Sequence, residues 1–243
     1  MAPSEGEREQ FREAGFFVTE RLFADELLDR IAGDFERLRS EQDAAIRAAG
    51  ERQGISLEGR NFIAGIDEKS AAGRELCTGA GLVETAVALM GPDLRLYWNQ
   101  AVTKAPRSGA SFAWHQDSGY HPIEPAEYLT VWIPLEDSTV ANGTIWVLPS
   151  SHREGLQEHV IDEQTGDKVG YQGNEPGIAV EVKKGAAAVF SSLCLHRSGP
   201  NTSAAPRRAY VVQFAPTDAV DPNTGERWGG LLEVARGGRV VAG

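Results

Sequence analysis

Over roughly the first ninety residues apolar positions recur at helical spacing, and from Leu94 onward they fall into short runs separated by turn signals. Residues 5–14 read as a short helix that Gly15 stops, since a residue without Cβ enters the left-handed cap conformation freely. Phe16, Phe17 and Val18 then suggest a short strand. Asp25 is the expected N-cap of a second helix, whose residues Leu27, Leu28, Ile31, Phe35 and Leu38 make one buried stripe. A third helix over 79–90 carries Leu82, Val83, Ala86, Leu89 and Met90 and ends at Gly91-Pro92. Between the second and third helices, residues 41–75 are polar and Gly-rich with few apolar anchors (Ile55, Leu57, Phe62, Ile63). That stretch predicts a mobile loop or lid.

The runs LRLYWNQAV, FAWHQD, YLTVWIPL, TIWVLP, GIAVEV, AAAVFSSLCLH and AYVVQFAP predict strands. The fold class is therefore mainly β with flanking helices, a sandwich or barrel decorated at one end. Glu154 to Gly177 reads as a second long loop, and the weakly patterned stretch after Pro216 as a segment wrapping the outside. One domain over 1–243 is expected, divided into a mostly helical part (1–93), a β core (94–216) and a C-terminal extension (217–243).

Charge narrows the partners. The chain has 243 residues with 35 Asp and Glu against 24 Lys and Arg, a formal net charge of −11. This balance repels phosphate backbones and anionic lipid, and no basic cluster exceeds the pairs Lys183-Lys184 and Arg207-Arg208. Nucleic acid and membrane partners are not expected, and no apolar stretch approaches the roughly 20 residues of a membrane span. The charged opening residues MAPSEGEREQFREAG lack a secretory apolar core, so a cytoplasmic location is expected. Cys77 and Cys194 are then free thiols used in packing.

The candidate chemistry lies in the histidines, all five of which fall between His115 and His196. In Trp114-His115-Gln116-Asp117 an imidazole and a carboxylate are two residues apart on an expected strand, where alternate side chains share a face. His196 closes the run AAAVFSSLCLH. Two histidines and one carboxylate on one face of a metal leave open positions opposite, as in non-haem Fe(II) oxygenases. A buried His–Asp hydrogen-bonded pair is the plainer reading of the same residues. Eleven residues after His196, Arg207 opens RRAYVVQF, and Ser198 shares the predicted face of His196. A guanidinium fork there would bind one end of a dicarboxylic acid whose other end reaches the metal. Arg208 reads as an exposed turn charge.

Four blocks in order, EREQFREAGFFVTERLFADELLDRI, WHQD, YLTVWIPLEDSTVANGTIWVLPSSHREG and LHRSGPNTSAAPRRAYVVQF, give the chain a resemblance to the phytanoyl-CoA dioxygenase family of Fe(II)- and 2-oxoglutarate-dependent oxygenases. The resemblance spans nearly the whole chain. It implies a double-stranded β-helix, the jelly-roll or cupin-like barrel, with iron at its mouth. It implies His115, Asp117 and His196 as catalytic iron ligands, Arg207 and Ser198 on the distal carboxylate of 2-oxoglutarate, and Trp132 and Tyr97 beside this co-substrate. His121 is a loop residue that could touch substrate, and His152 and His159 are further loop residues. The implied reaction couples decarboxylation of 2-oxoglutarate by O₂ to oxidation of a substrate C–H bond, by hydroxylation, cyclisation, desaturation or epimerisation. Asp117 stands where halogenating relatives carry a small residue. Without a basic cluster for coenzyme A phosphates, a free small molecule of specialised metabolism, such as an antibiotic intermediate, is the expected substrate. Trp98, Trp114 and Trp146 are candidates to stack on it or to fill the barrel core. A monomer or homodimer is expected. The alternatives are a cupin-like hydrolase or isomerase holding Zn²⁺ or Mn²⁺, which has no use for Arg207 with Ser198, and a non-catalytic binder, against which the intact triad argues.

Overall fold

In a computed structural model, which describes residues 2–48 and 59–241, the helical stripes and alternate residues of the long strands meet on one face of a sheet. Helix α1 (Glu5–Ala14) begins with reciprocal bonds between Ser4 and Glu7 and ends on Gly15 at φ 83°. Strand β1 (Phe16–Val18) follows, then α2 (Asp25–Ala48). Asp25 is the first residue of this helix and not its cap; its carboxylate lies 2.7 Å from Arg21.

The loop expected over 41–75 is largely ordered structure. Residues 41–48 continue α2, and β2 (Arg60–Ala64), α3 (Ile66–Lys69) and α4 (Ala71–Cys77) precede α5 (Ala80–Met90). Residues 49–58 lie outside the described residues. Ile66, Leu76 and Cys77 are buried, and the Ser70 hydroxyl accepts from the Gly73 N–H at 2.9 Å to start α4. Such short helices draw their stability from packing, not from a long periodic stripe.

The remaining strands are β3 (Leu94–Lys104), β4 (Phe112–His115), β5 (Leu129–Pro134), β6 (Ile145–Val147), β7 (Val160–Ile161) and β8 (Lys168–Val169). They continue as β9 (Ile178–Val180), β10 (Ala188–Ser191), β11 (His196–Ser198), β12 (Arg207–Pro216), β13 (Leu232–Arg236) and β14 (Arg239–Val240). Among the described residues the larger sheet runs β1-β10-β5-β12-β3-β13-β14, with β2 also paired to β3, and the smaller runs β4-β11-β6-β9. The two curled antiparallel sheets form the jelly roll. AAAVFSSLCLH is therefore two strands: β10 belongs to the larger sheet and β11 to the smaller, and the chain crosses between them at Ser192–Leu195. An apolar run does not disclose that change of sheet, because both strands are buried.

Alternation along the strands assigns the two faces. Tyr210, Val212 and Phe214 of β12 and Leu129, Val131 and Ile133 of β5 pack with Leu28, Ile31, Phe35, Leu82 and Ala86 under the helices. Each such large side chain contributes about 1.5–3 kcal/mol of burial. The intervening Ala209, Val211 and Trp132 face the barrel interior. The C-terminal extension does not simply wrap the outside: β13 pairs with β3, and Trp228, still exposed on one side, lines the cavity. Cys77 and Cys194 are free and buried, and burial pushes both thiols up to about 12.

Candidate metal centre

His115 ends β4 and His196 begins β11, and the two residues are register partners across the smaller sheet. Their ring centroids lie 4.2 Å apart. His115 Nδ1 donates to the Ala113 carbonyl at 2.7 Å and His196 Nδ1 to the Cys194 carbonyl at 3.0 Å, which fixes the tautomers and leaves both Nε2 lone pairs free. Burial, with His196 alongside, pushes the His115 pKa down, so its imidazole is neutral and ready to ligate. Asp117 Oδ1 stands 3.9 Å from His115 Nε2 and 3.5 Å from His196 Nε2. These separations are too long for hydrogen bonds, which removes the reading of a satisfied His–Asp pair. All three donor atoms lie within 4.8 Å of one another.

Asp117 reaches this point by a different route from the one its spacing suggests. It opens a single 3-10 turn, Asp117–Gly119, and does not continue the strand. Its other oxygen, Oδ2, accepts from Thr130 Oγ1 at 2.6 Å and from Gln213 Nε2 at 2.9 Å. One carboxylate oxygen is thus tied down and the other presented. Thr130→Val or Gln213→Leu is expected to weaken Co(II) binding about 10- to 100-fold, the usual effect of losing a partner that orients a ligand. A spectroscopic Co(II) titration checks this, and unchanged affinity in both variants would remove the two residues from that role.

The donor set opens on a cavity of about 380 Å³ that also reaches Ser198, Trp132 and Arg207. Arg207 is 1% exposed; Nη2 donates to the Gly143 carbonyl at 3.1 Å, while Nε and Nη1 have no partner among the described residues. The buried Ser198 hydroxyl is likewise unpartnered. Burial lowers the Arg207 pKa to about 10, which leaves it charged at neutral pH. Its guanidinium carbon sits 5.4 Å from the centroid of the Trp132 ring. Arg60, Lys104 and Arg207 are register neighbours on β2, β3 and β12. Asp167 pairs with Arg60 at 2.8 Å, whereas Lys104 donates to the Gly199 carbonyl and burial pushes its pKa down to about 6. Leaving orphaned donors beside a charged guanidinium is costly, and a carboxylate is the group that satisfies both. The residues therefore fit a metal ion and a dicarboxylate in one cavity.

Tyr97 lines the same cavity but at its other end. Lys104 pairs with Arg207, whereas Trp98, the neighbour of Tyr97, pairs with Gln213, about 20 Å further along β12 at the usual strand rise. His121 also lines the cavity, paired with Asp221 at 3.2 Å. His152 packs against the end of α1, its Nε2 3.2 Å from the Arg12 carbonyl. His159 Nδ1 donates to Gln157 at 2.9 Å and its Nε2 accepts from the Gln116 N–H at 2.9 Å, tying the 154–177 insert to the backbone between two ligands. The insert carries the β7–β8 hairpin and supplies Gly166 and Asp167 to the cavity wall. Of the three candidate tryptophans only Trp98 lines the cavity; Trp114 and Trp146 pack on Arg197, with ring centroids 5.1 and 4.6 Å from its guanidinium carbon. Arg208 is half-buried and bonded to Glu136, not an exposed turn charge. Sequence reasoning missed Thr130, Gln213 and Lys104, although each occupies an alternate strand position that a face assignment would have selected. It also missed Trp228, for which the sequence carries no such signal.

Two facing antiparallel sheets with two histidines and a carboxylate converging between them define a jelly-roll metalloprotein with a facial donor set. The phytanoyl-CoA dioxygenase (PhyH) family model matches residues 11–209, and the chain belongs to that family. A phytanoyl-CoA dioxygenase of Arabidopsis thaliana is 29% identical over 123 residues, covering 48% of this chain and 43% of the relative; the match thus spans under half of that protein. Among solved structures, the non-haem alpha-ketoglutarate-dependent carbocyclase SnoK from nogalamycin biosynthesis superposes with a TM-score of 0.73 at 22% identity, covering 95% of each chain. EvdO2 from Micromonospora carbonacea var. aurantiaca, complexed with 2-oxoglutarate, superposes with a TM-score of 0.72 at 21% identity, covering 94% of this chain and 98% of its own. These two likenesses establish the fold. No helix among the described residues is long and apolar enough to cross a membrane.

Proposed function

We propose that this chain is an Fe(II)- and 2-oxoglutarate-dependent oxygenase that oxidises a C–H bond of a free small organic molecule. The observation that carries this reading is one cavity holding both the unspent His115–Asp117–His196 donor set and the buried, unpartnered donors of Arg207 and Ser198. A metalloenzyme of the same fold without 2-oxoglutarate would have no use for the second group. His115, Asp117 and His196 are the iron ligands. Arg207 and Ser198 hold the distal carboxylate of 2-oxoglutarate, and Trp132 walls that end. Iron with 2-oxoglutarate and O₂ supplies the oxidising power for removing hydrogen from an unactivated carbon, with succinate and CO₂ as co-products. The protein's part is to present one face of the metal, keep the co-substrate in a fixed orientation and exclude bulk water.

The substrate is an intermediate of specialised metabolism, in keeping with the biosynthetic neighbour SnoK. The enzyme works in the cytoplasm, without a nucleic-acid or membrane partner. Anaerobic addition of Fe(II) and 2-oxoglutarate is expected to give a weak visible charge-transfer band, and admission of air to give succinate. Absence of both would overturn the proposal.

A further inference from the structure

We propose that the end of the cavity beyond Asp117, walled by Tyr97, Trp98, Tyr128 and Trp228, binds a flat, uncharged ring system through an acceptor oxygen held by the Tyr97 and Tyr128 hydroxyls. The inference rests on the oxygenase reading, since it assigns the substrate's half of the same cavity. The register sets that half apart: Gln213, which donates to Asp117, pairs with Trp98 at one end, and Arg207 pairs with Lys104 at the other. A register shift in β3 at this point lets two consecutive residues, Tyr97 and Trp98, line the cavity.

Aromatic rings in fixed positions make the walls. Trp98 and Trp228 are parallel within 10° with centroids 5.6 Å apart, and Tyr97 and Tyr128 stand 4.8 Å apart. Trp228 comes from the connection between β12 and β13, which the buried Arg95 clamps by donating to the Trp228 carbonyl at 3.0 Å, the Ala219 carbonyl at 3.2 Å and the Gly230 carbonyl. Gly229 sits at φ 83°, and a Cβ there would lie 2.6 Å from the Tyr97 carbonyl oxygen, so the close approach requires glycine. His121 stacks on Trp228, with ring centroids 3.7 Å apart. A wall held this way is preorganised, and its aromatic surface favours ring ligands, edge-to-face as well as stacked.

Polarity completes the assignment. Tyr97 and Tyr128 are 2% and 3% exposed and line the cavity, yet neither hydroxyl has a hydrogen-bond partner among the described residues. Burial, reinforced by the Asp117 carboxylate, pushes both phenols up, so they remain O–H donors. Neither phenol oxygen is sealed off from the cavity, so each is free to donate to a ligand oxygen there. Three basic groups near the lining are engaged: Arg95 on carbonyls, Lys168 on the Gly119 and Tyr120 carbonyls, and Arg60 on Asp167. A charged group inside this end would find no free counter-charge among the lining residues; the exposed Arg227 lies outside the lining.

The test uses flavone, a neutral planar molecule with one carbonyl oxygen, as the probe, titrated into the full chain with and without Co(II) and 2-oxoglutarate and followed by tryptophan fluorescence. Saturable quenching is expected, with decanoyl-coenzyme A binding at least about 10-fold more weakly. Changing Tyr97→Phe and Tyr128→Phe together should raise the flavone dissociation constant about 10-fold or more, while thermal melting and the metal-dependent 2-oxoglutarate band stay unchanged. Flavan, which lacks the carbonyl, should bind both proteins equally weakly. Absence of flavone binding, or equal flavone affinity in the wild type and the double variant, overturns the proposal. Flavone binding that responds to the tyrosine changes, in a protein that shows no 2-oxoglutarate band, supports the ring site while removing the co-substrate reading.

Discussion

Asp117→Ala is expected to abolish metal-dependent turnover and to lower Fe(II) or Co(II) affinity by well over about 100-fold, more than the loss of an outer partner of a ligand. The reason is charge as much as ligand count. A histidine ligates through an uncharged lone pair, so Asp117 is the one anionic donor among the three. Its loss also leaves the Thr130 hydroxyl and the Gln213 amide without the oxygen they hold at 2.6 and 2.9 Å. Asp117→Asn separates the two effects: it retains the shape and some hydrogen bonding but not the charge, and should bind metal nearly as poorly. Anaerobic Co(II) titration by visible absorption reads both variants, with thermal melting as the check on folding. Wild-type affinity in Asp117→Ala would remove this residue from the ligand set.

The second large effect is expected on the co-substrate. Arg207→Met keeps the length and apolar stem of the side chain but removes a charge that, among the described residues, no carboxylate neutralises by direct contact. Losing one partner of a buried, charge-assisted pair costs about 2 to 4 kcal/mol, which corresponds to about a 30- to 1000-fold rise in the 2-oxoglutarate dissociation constant. Metal affinity should hardly change, because Arg207 is not a ligand. The preference for 2-oxoglutarate over 2-oxobutanoate, which has no distal carboxylate, should largely disappear. Arg207→Lys should restore little, since an ammonium cannot reproduce the fork. Unchanged discrimination between the two acids in Arg207→Met would refute the assignment.

Legibility in the sequence followed the range of the interactions involved. Helices α1, α2 and α5 were readable because their apolar stripes and stop signals are local, and most strands because buried alternation is local too. The part of the expected 41–75 loop from residue 60 onward read as loop because Ile63, Ile66 and Ala72 are buried against residues distant in the chain, within elements too short to show a period. His115, Asp117 and His196 could be named from spacing, although Asp117 joins the histidines through a turn and His196 lies across a change of sheet. Trp228 was not accessible, since its position depends on Arg95, 133 residues away in the chain.

By itself, then, the sequence determined the longer helices, most of the strands and the chemical types available for a metal and an acid, because these are set by local periodicity and side-chain chemistry. The tertiary structure alone decided which oxygen of Asp117 is free, that Arg207 and Ser198 keep unspent donors, and that Tyr97 belongs to the far end of the cavity, away from Arg207. Each of these depends on strand register, and register is fixed by the simultaneous packing of two sheets and a helical layer, which no local pattern encodes.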